Sequence, residues 1–114
     1  MHSIRVQLEG RTAVVHAEGE LDAYAASDIE ATFELLPRGS PVLADLSRVS
    51  FLDSTALSLF VKAVRTLTAS GAEVRVLLPT TSARRIFQIT KLDSALPVCA
   101  SRSEALAQLS LQQH

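Results

Sequence analysis

Apolar and polar residues alternate at the start of the chain, where Ile4, Val6 and Leu8 interleave with Arg5, Gln7 and Glu9. That period of two predicts a half-buried strand, and Gly10-Arg11 turns the chain into a second strand over Thr12 to Glu18. The period becomes helical at Ile29, Phe33 and Leu36. Ser27-Asp28-Ile29-Glu30 has the form of a capping box for this helix, although Ala23 to Ala26 also favour helix.

Pro37-Arg38-Gly39-Ser40-Pro41 breaks the helix, and Val42 to Leu46 is a short apolar run expected of a parallel strand covered on both faces. Leu57, Phe60, Val61, Val64 and Leu67 then recur every three or four residues, predicting a helix that ends near Ser70-Gly71. Its polar side carries Ser58, Lys62 and Arg65. Val74 to Leu78 is another apolar strand, ended by Pro79. Thr80 or Thr81 can cap a short helix that holds Ile86 and Phe87 and exposes Arg84 and Arg85. Leu96 to Ala100 is expected to be a last strand, and Ser101-Arg102-Ser103-Glu104 a second capping box before Leu106 and Leu109.

The resulting order, ββαβαβαβα, predicts an α/β fold: a mostly parallel sheet of about five strands opened by an N-terminal hairpin, with four helices packed on it. In such folds the loops beyond the carboxyl ends of the strands share one rim. Here these are Glu20 to Tyr24, Ser50 to Thr55 and Pro79 to Ser82.

A chain of 114 residues fits one domain, able to bury about 65% of the surface its unfolded form exposes. A formal net charge of −1 gives no overall attraction to nucleic acid or anionic membrane. Six acids lie between Glu18 and Pro37 with no basic residue among them, either as a solvated face or as a patch for a basic partner. The single cysteine, Cys99, cannot form an internal disulfide and sits in an apolar stretch, so a core role and a reducing cytoplasm are expected. Met1-His2-Ser3-Ile4-Arg5 lacks the apolar core of a signal peptide, and no membrane insertion is expected.

The most specific local feature is the junction Phe51-Leu52-Asp53-Ser54-Thr55-Ala56, where a strand passes into an amphipathic helix. A helix start has backbone N–H groups without intrahelical partners and the positive end of the helix dipole. With Asp53 as the cap, Ser54 becomes the first helical residue and its hydroxyl is open to modification; Thr55 competes for that role. Capping alone would also account for these residues.

Catalytic alternatives fit less well. A phosphatase-type aspartate nucleophile needs a second aspartate where Thr55 stands. No Gly-x-Ser-x-Gly elbow surrounds Ser54 to support a triad with His16, and the glycines at 10, 19, 39 and 71 form no phosphate loop. His2, His16 and His114 have no metal-ligand spacing.

Gly19-Glu20-Leu21-Asp22, followed by Asp45-Leu46-Ser47 and Val49-Ser50-Phe51-Leu52-Asp53-Ser54-Thr55, resembles the STAS domain family, specifically the bacterial anti-sigma factor antagonists. Arg84 to Leu92 and the segment around Glu104-Ala105-Leu106 are similar too, so the resemblance spans nearly all of residues 1–114 as one domain. It implies a non-enzymatic regulator of transcription in a stress-response partner switch. The unphosphorylated form binds an anti-sigma factor that is also a serine kinase and so frees a sigma factor. Phosphorylation at Ser54 ends that binding, and a serine phosphatase reverses it. ATP and magnesium belong to the kinase, so no cofactor is expected here. Asp22, Tyr24, Asp53, Ser54, Thr55 and Ser58 are the expected partner-binding residues.

Two positions depart from the family, which usually has glycine at Ala56 and at Lys91. Ala56 adds a methyl near the acceptor that could stiffen the turn or obstruct a kinase, and Lys91 changes how the third helix ends. A competing expectation keeps the fold but makes the chain a structural subunit of a stress-signalling scaffold or a lipid-transport complex, with Ser54 only a cap.

Overall fold

In a computed structural model, residues 1–111 are described, with side chains through Leu109; the terminal His114 lies outside them. Strands β1 (His2–Glu9), β2 (Thr12–Leu21), β3 (Val42–Leu52) and β4 (Val74–Leu77) form one sheet in the order β1-β2-β3-β4. β1 runs antiparallel to β2, while β2, β3 and β4 are mutually parallel. The helices are α1 (Ala26–Glu34), α2 (Ser54–Ala69), α3 (Arg85–Ile89), α4 (Leu92–Ala95) and α5 (Arg102–Leu111).

The sheet has four strands rather than five because Leu96 to Ala100 forms no ladder. It makes one parallel bridge, Val76 with Val98, in which Val76 N–H donates to Pro97 O at 2.9 Å and Cys99 N–H donates to Val76 O at 2.9 Å. Pro97 has no N–H to extend the pairing, and Val98 N–H turns back to Leu96 O at 2.8 Å. Among the described residues five α-helices replace the four expected, since Lys91 breaks the segment after Phe87 into α3 and α4. Lys91 is left-handed, with φ of 61°, the conformation for which glycine is the usual residue.

α1 also starts differently. A 3-10 turn at Ala23–Ala25, capped by the Asp22 carboxylate, runs directly into it, so Ser27 lies inside the helix and is not its cap. β3 continues to Leu52, six residues beyond the run that ended at Leu46. It gains one extra residue relative to β2 between Asp45 and Arg48 and another between Val49 and Phe51. Such bulges leave the pairing intact on either side but re-aim the side chains between them.

One face of the sheet packs Ala13, Val15, Ala44, Leu46 and Val76 against Ile29 of α1, Phe60 and Val64 of α2, and Phe87 of α3. Phe33 and Phe60 meet edge-to-face across α1 and α2, with ring centres 6.1 Å apart. The other face is covered at one end by α5, where Val14, Leu43, Leu77 and Cys99 meet Ala105 and Leu109. β2 and β3 are thereby apolar on both sides, as central parallel strands require. β1 is less buried than its alternation predicted: Ile4 is half-buried, but Val6 and Leu8 are exposed because α1 covers only its amino-terminal half.

Candidate functional site

Three parallel strands end on one side of the molecule, and each passes into a capped helical turn. After β2, Asp22 Oδ1 accepts from Tyr24 N–H at 3.0 Å. After β3, Asp53 Oδ1 accepts from Ala56 N–H at 2.9 Å. After β4, Thr81 Oγ1 accepts from Ala83 N–H at 3.2 Å. A short polar residue suits each place because it leaves the strand in extended geometry and turns its oxygen onto the next N–H groups.

Backbone bonds lock these ends together. Leu21 is paired with Leu52, and Asp53 N–H donates to Leu21 O at 3.1 Å, so Asp22 and Asp53 are neighbours across the rim. Thr80 N–H donates to Ser47 O at 3.2 Å, fixing the third loop against β3.

The Asp53 cap leaves Ser54 at the first helical position. The first intrahelical bond is Leu57 N–H to Asp53 O at 2.9 Å, and Asp53 takes the Ala56 N–H, so the Ser54 and Thr55 amides precede the helical ladder. Both hydroxyl side chains are exposed, and exposure does not separate them. Ser58 is exposed one turn further along α2, beside a shallow groove of about 600 Å³ lined by Leu57, Val61, Lys62, Arg65 and Leu92. The Ala56 side chain is fully buried, so its methyl packs inward and does not project at the surface beside Ser54.

Tyr24 is 88% exposed on the Asp22-capped turn. Phe51 is 49% exposed and was not among the site residues the sequence suggested. It lies just past the second bulge of β3, opposite Glu20, where the strand's alternation no longer indicates the face. Its position two residues before the cap was the available signal. Large exposed aromatics beside a helix start are the residue types enriched at the energetic centres of protein interfaces.

The expected acidic stretch is dispersed. Glu18 lies 3.7 Å from Arg48 and 3.9 Å from Arg5, Glu20 faces the amino terminus, Asp28 Oδ2 bonds His2 Nε2 at 2.7 Å, and Asp22 is a cap. Four of the six acids are therefore held by local partners or serve as a cap, while Glu30 and Glu34 stand exposed on α1.

His16 lies level with Asp45 on the other face of the sheet, with Nδ1 3.8 Å from Asp45 Oδ2. Five residues of β2, from His16 to Leu21 at the rim, separate the two by about 17 Å at about 3.3 Å per residue. That separation rules out a triad of His16 with Ser54. Ser47 Oγ donates to Asp45 Oδ1 at 2.6 Å, not to the imidazole, so no hydroxyl-to-histidine contact forms there either. Among the described residues no group of three or more His, Cys, Asp or Glu could hold a metal, and no helix is long and apolar enough to cross a membrane.

Comparison with known proteins agrees with this geometry. The family model described as STAS domain matches residues 3–105. An anti-sigma-B factor antagonist of Listeria monocytogenes is 30% identical over 86 residues, covering 74% of this chain and 75% of that protein. An anti-sigma factor antagonist from Mycobacterium paratuberculosis superposes with a TM-score of 0.83 at 25% identity, covering 96% and 95% of the two chains. The Bacillus cell fate determinant SpoIIAA, solved in its phosphorylated form, superposes at 0.72 with 26% identity over 94% and 99%.

Proposed function

The chain belongs to the STAS domain family, and from that footing we propose that it acts as an anti-sigma factor antagonist in a partner switch. The unphosphorylated rim binds an anti-sigma factor that is also a serine kinase, and the sigma factor is released. Phosphorylation of Ser54 ends the interaction. The observation that carries this reading is the Asp53-capped start of α2: it holds Ser54 exposed at the first helical position, next to the Asp22-capped turn that exposes Tyr24.

In the transfer, the Ser54 hydroxyl oxygen bonds the γ-phosphorus of ATP as the bond to ADP breaks, and the hydroxyl proton passes to a base of the kinase. ATP and magnesium are held by that enzyme. The added group carries about −1.5 to −2 charge at neutral pH. Within this chain it is tolerated, because the Ser54 and Thr55 amides and the dipole of α2 favour an anion there. At a docked interface the same charge, next to Asp53, has to be desolvated or repelled. A serine phosphatase restores the binding form.

Mapping the phosphorylated residue after incubation with the cognate kinase and ATP tests this. Phosphate on Ser54, with loss of binding, is the expected result. Phosphate on Thr55 would move the acceptor by one residue and keep the switch, whereas an unmodified chain that stays bound would overturn it.

A further inference from the structure

β1 is an edge strand that lacks most of the devices that normally block edge-to-edge pairing: its two charged residues, Arg5 and Glu9, are each paired within the chain, with Glu18 and Arg102. Its eight residues pair with β2 in unbroken register, and they include no proline, lysine or bulge. Which backbone groups face outward follows from the hairpin. Glu9 and Thr12 close a two-residue turn in which Gly10 has φ of 60°, as a type II′ turn requires at its first central position. The residues closing such a turn bond each other through both backbone groups, and bonding alternates from there along an antiparallel pair. Ser3, Arg5, Gln7 and Glu9 therefore bond β2, which agrees with Met1 O accepting from Glu20 N–H at 3.1 Å. His2, Ile4, Val6 and Leu8 direct their N–H and C=O groups to the open edge.

We propose that this edge pairs with β1 of a second copy, antiparallel and with the two-fold axis at Val6, so that two four-stranded sheets become one continuous sheet. The chemistry of the strand is self-complementary in that register. Val6 faces its own counterpart and Ile4 faces Leu8, which covers the edge beside the side chains that are 43% exposed at Val6 and 60% at Leu8. On the opposite face Arg5 lies across from Gln7 and Ser3 across from Glu9, so no two like charges are directly opposed; the diagonal neighbours of Arg5 are Glu9 and Arg5 of the other copy. Gly10 of one copy meets His2 of the other, beneath α1, where His2 is bonded to Asp28. A turn without a side chain fits at that point, and a Cβ built on Gly10 has no neighbour within 4 Å. Shifting the axis to Arg5 would place two arginines directly opposite each other, which disfavours that register.

β2 separates β1 from β3, so the pairing leaves the Ser54 rim of each copy open. Dimerisation is thus independent of the switch, and Ser54→Asp leaves it unchanged.

Sedimentation velocity across a concentration series tests the proposal. The full chain is expected to pass from monomer to dimer with a dissociation constant on the order of 10 μM. Val6→Pro removes an outward N–H without touching the β2 ladder, and Val6→Lys opposes two cations; each weakens the dimer at least about tenfold while thermal melting stays cooperative. Mild oxidation of Val6→Cys gives a covalent dimer, because the two Cα atoms at the axis lie about 5.5 Å apart, within disulfide reach. A chain that remains monomeric at about 20 times that constant, or that cross-links through Leu8→Cys in preference to Val6→Cys, overturns it.

Discussion

Asp22 and Asp53 stand side by side at the ends of neighbouring parallel strands, each closing the first turn of the helical segment that follows it. Their adjacency is enforced by backbone: Leu21 pairs with Leu52, and the Asp53 N–H donates to Leu21 O at 3.1 Å. Neither carboxylate is free to swing toward the other, because each has an oxygen committed to a backbone N–H. The rim is consequently a preset surface, whose folding role and binding role respond to different substitutions.

Asp53→Ala removes the cap and leaves the Ala56 N–H unsatisfied, so the chain loses about 1 kcal/mol of stability. Asp53→Asn keeps an accepting oxygen and restores most of that loss. Denaturant titration of the three proteins reads the difference. If Asp53→Ala is as stable as the parent, the carboxylate contributes nothing to the helix start.

Ser54→Ala should bind the anti-sigma factor as the parent does, since the cap belongs to Asp53 and alanine is a good helix former at an exposed first-turn position. Ser54→Asp should weaken binding by about 2 to 5 kcal/mol, as when an unpaired charge is introduced at a buried contact. Calorimetry with the purified partner distinguishes them. Equal affinity of Ser54→Asp and the parent would exclude electrostatic control at this residue.

Tyr24→Ala and Phe51→Ala should each lower partner affinity by at least about 1 to 2 kcal/mol. Tyr24 is exposed and Phe51 half-exposed, so stability should change by less than about 1 kcal/mol in either variant. A loss of stability comparable to the loss of affinity would make these residues structural, not contact-forming.

Two of the three rim caps were legible in the sequence because they are local. A carboxylate between an apolar run and a helical period identifies Asp53, and a threonine after Pro79 identifies the third helical turn. The alternation of β1 was equally plain, but its burial was not: whether Val6 and Leu8 are covered depends on how far α1 reaches across the sheet. The length of β3 was hidden by its two bulges, which break the period of two at Ser47 and Ser50 and conceal the exposure of Phe51. The fifth strand failed through one residue, Pro97, whose missing N–H limits that segment to a single bridge. Ser27 shows the reverse error, since its capping pattern is intact yet Asp22 starts the helical turn earlier.

Cys99 gives a pH dependence. Burial first, then the nearby Glu104 charge, raise its thiol pKa, while Arg75 opposes them. The folded chain therefore holds the thiol proton more tightly than the unfolded chain. The stability tied to this group is fully present below the ordinary thiol pKa of about 8.5 and is lost as pH rises through the higher folded value. Melting temperature followed from neutral to alkaline pH should fall in the parent and fall less in Cys99→Ala, whose absolute stability is lower for lack of the sulfur. Parallel pH profiles for the two proteins would show that Cys99 does not control this range.

Lys91 bears the one non-glycine positive φ among the described residues, 61°, at the break between α3 and α4. A side chain in that conformation crowds its own backbone, and Lys91 is exposed, with no side-chain bond to the α4 start that it caps. Lys91→Gly relieves the crowding but adds freedom to the unfolded chain, and the two effects oppose. Left-handed strain of about 1 to 2 kcal/mol exceeds an entropy cost of about 0.5 to 1 kcal/mol, so the glycine variant should gain up to about 1 kcal/mol. Lys91→Asn, which tolerates the left-handed region better than lysine, should fall between the two. Lys91→Ala should gain nothing, because it retains the Cβ. Urea midpoints for the four proteins check the order, and an alanine variant as stable as the glycine variant would show that the lysine side chain, not the backbone angle, was the source of the strain.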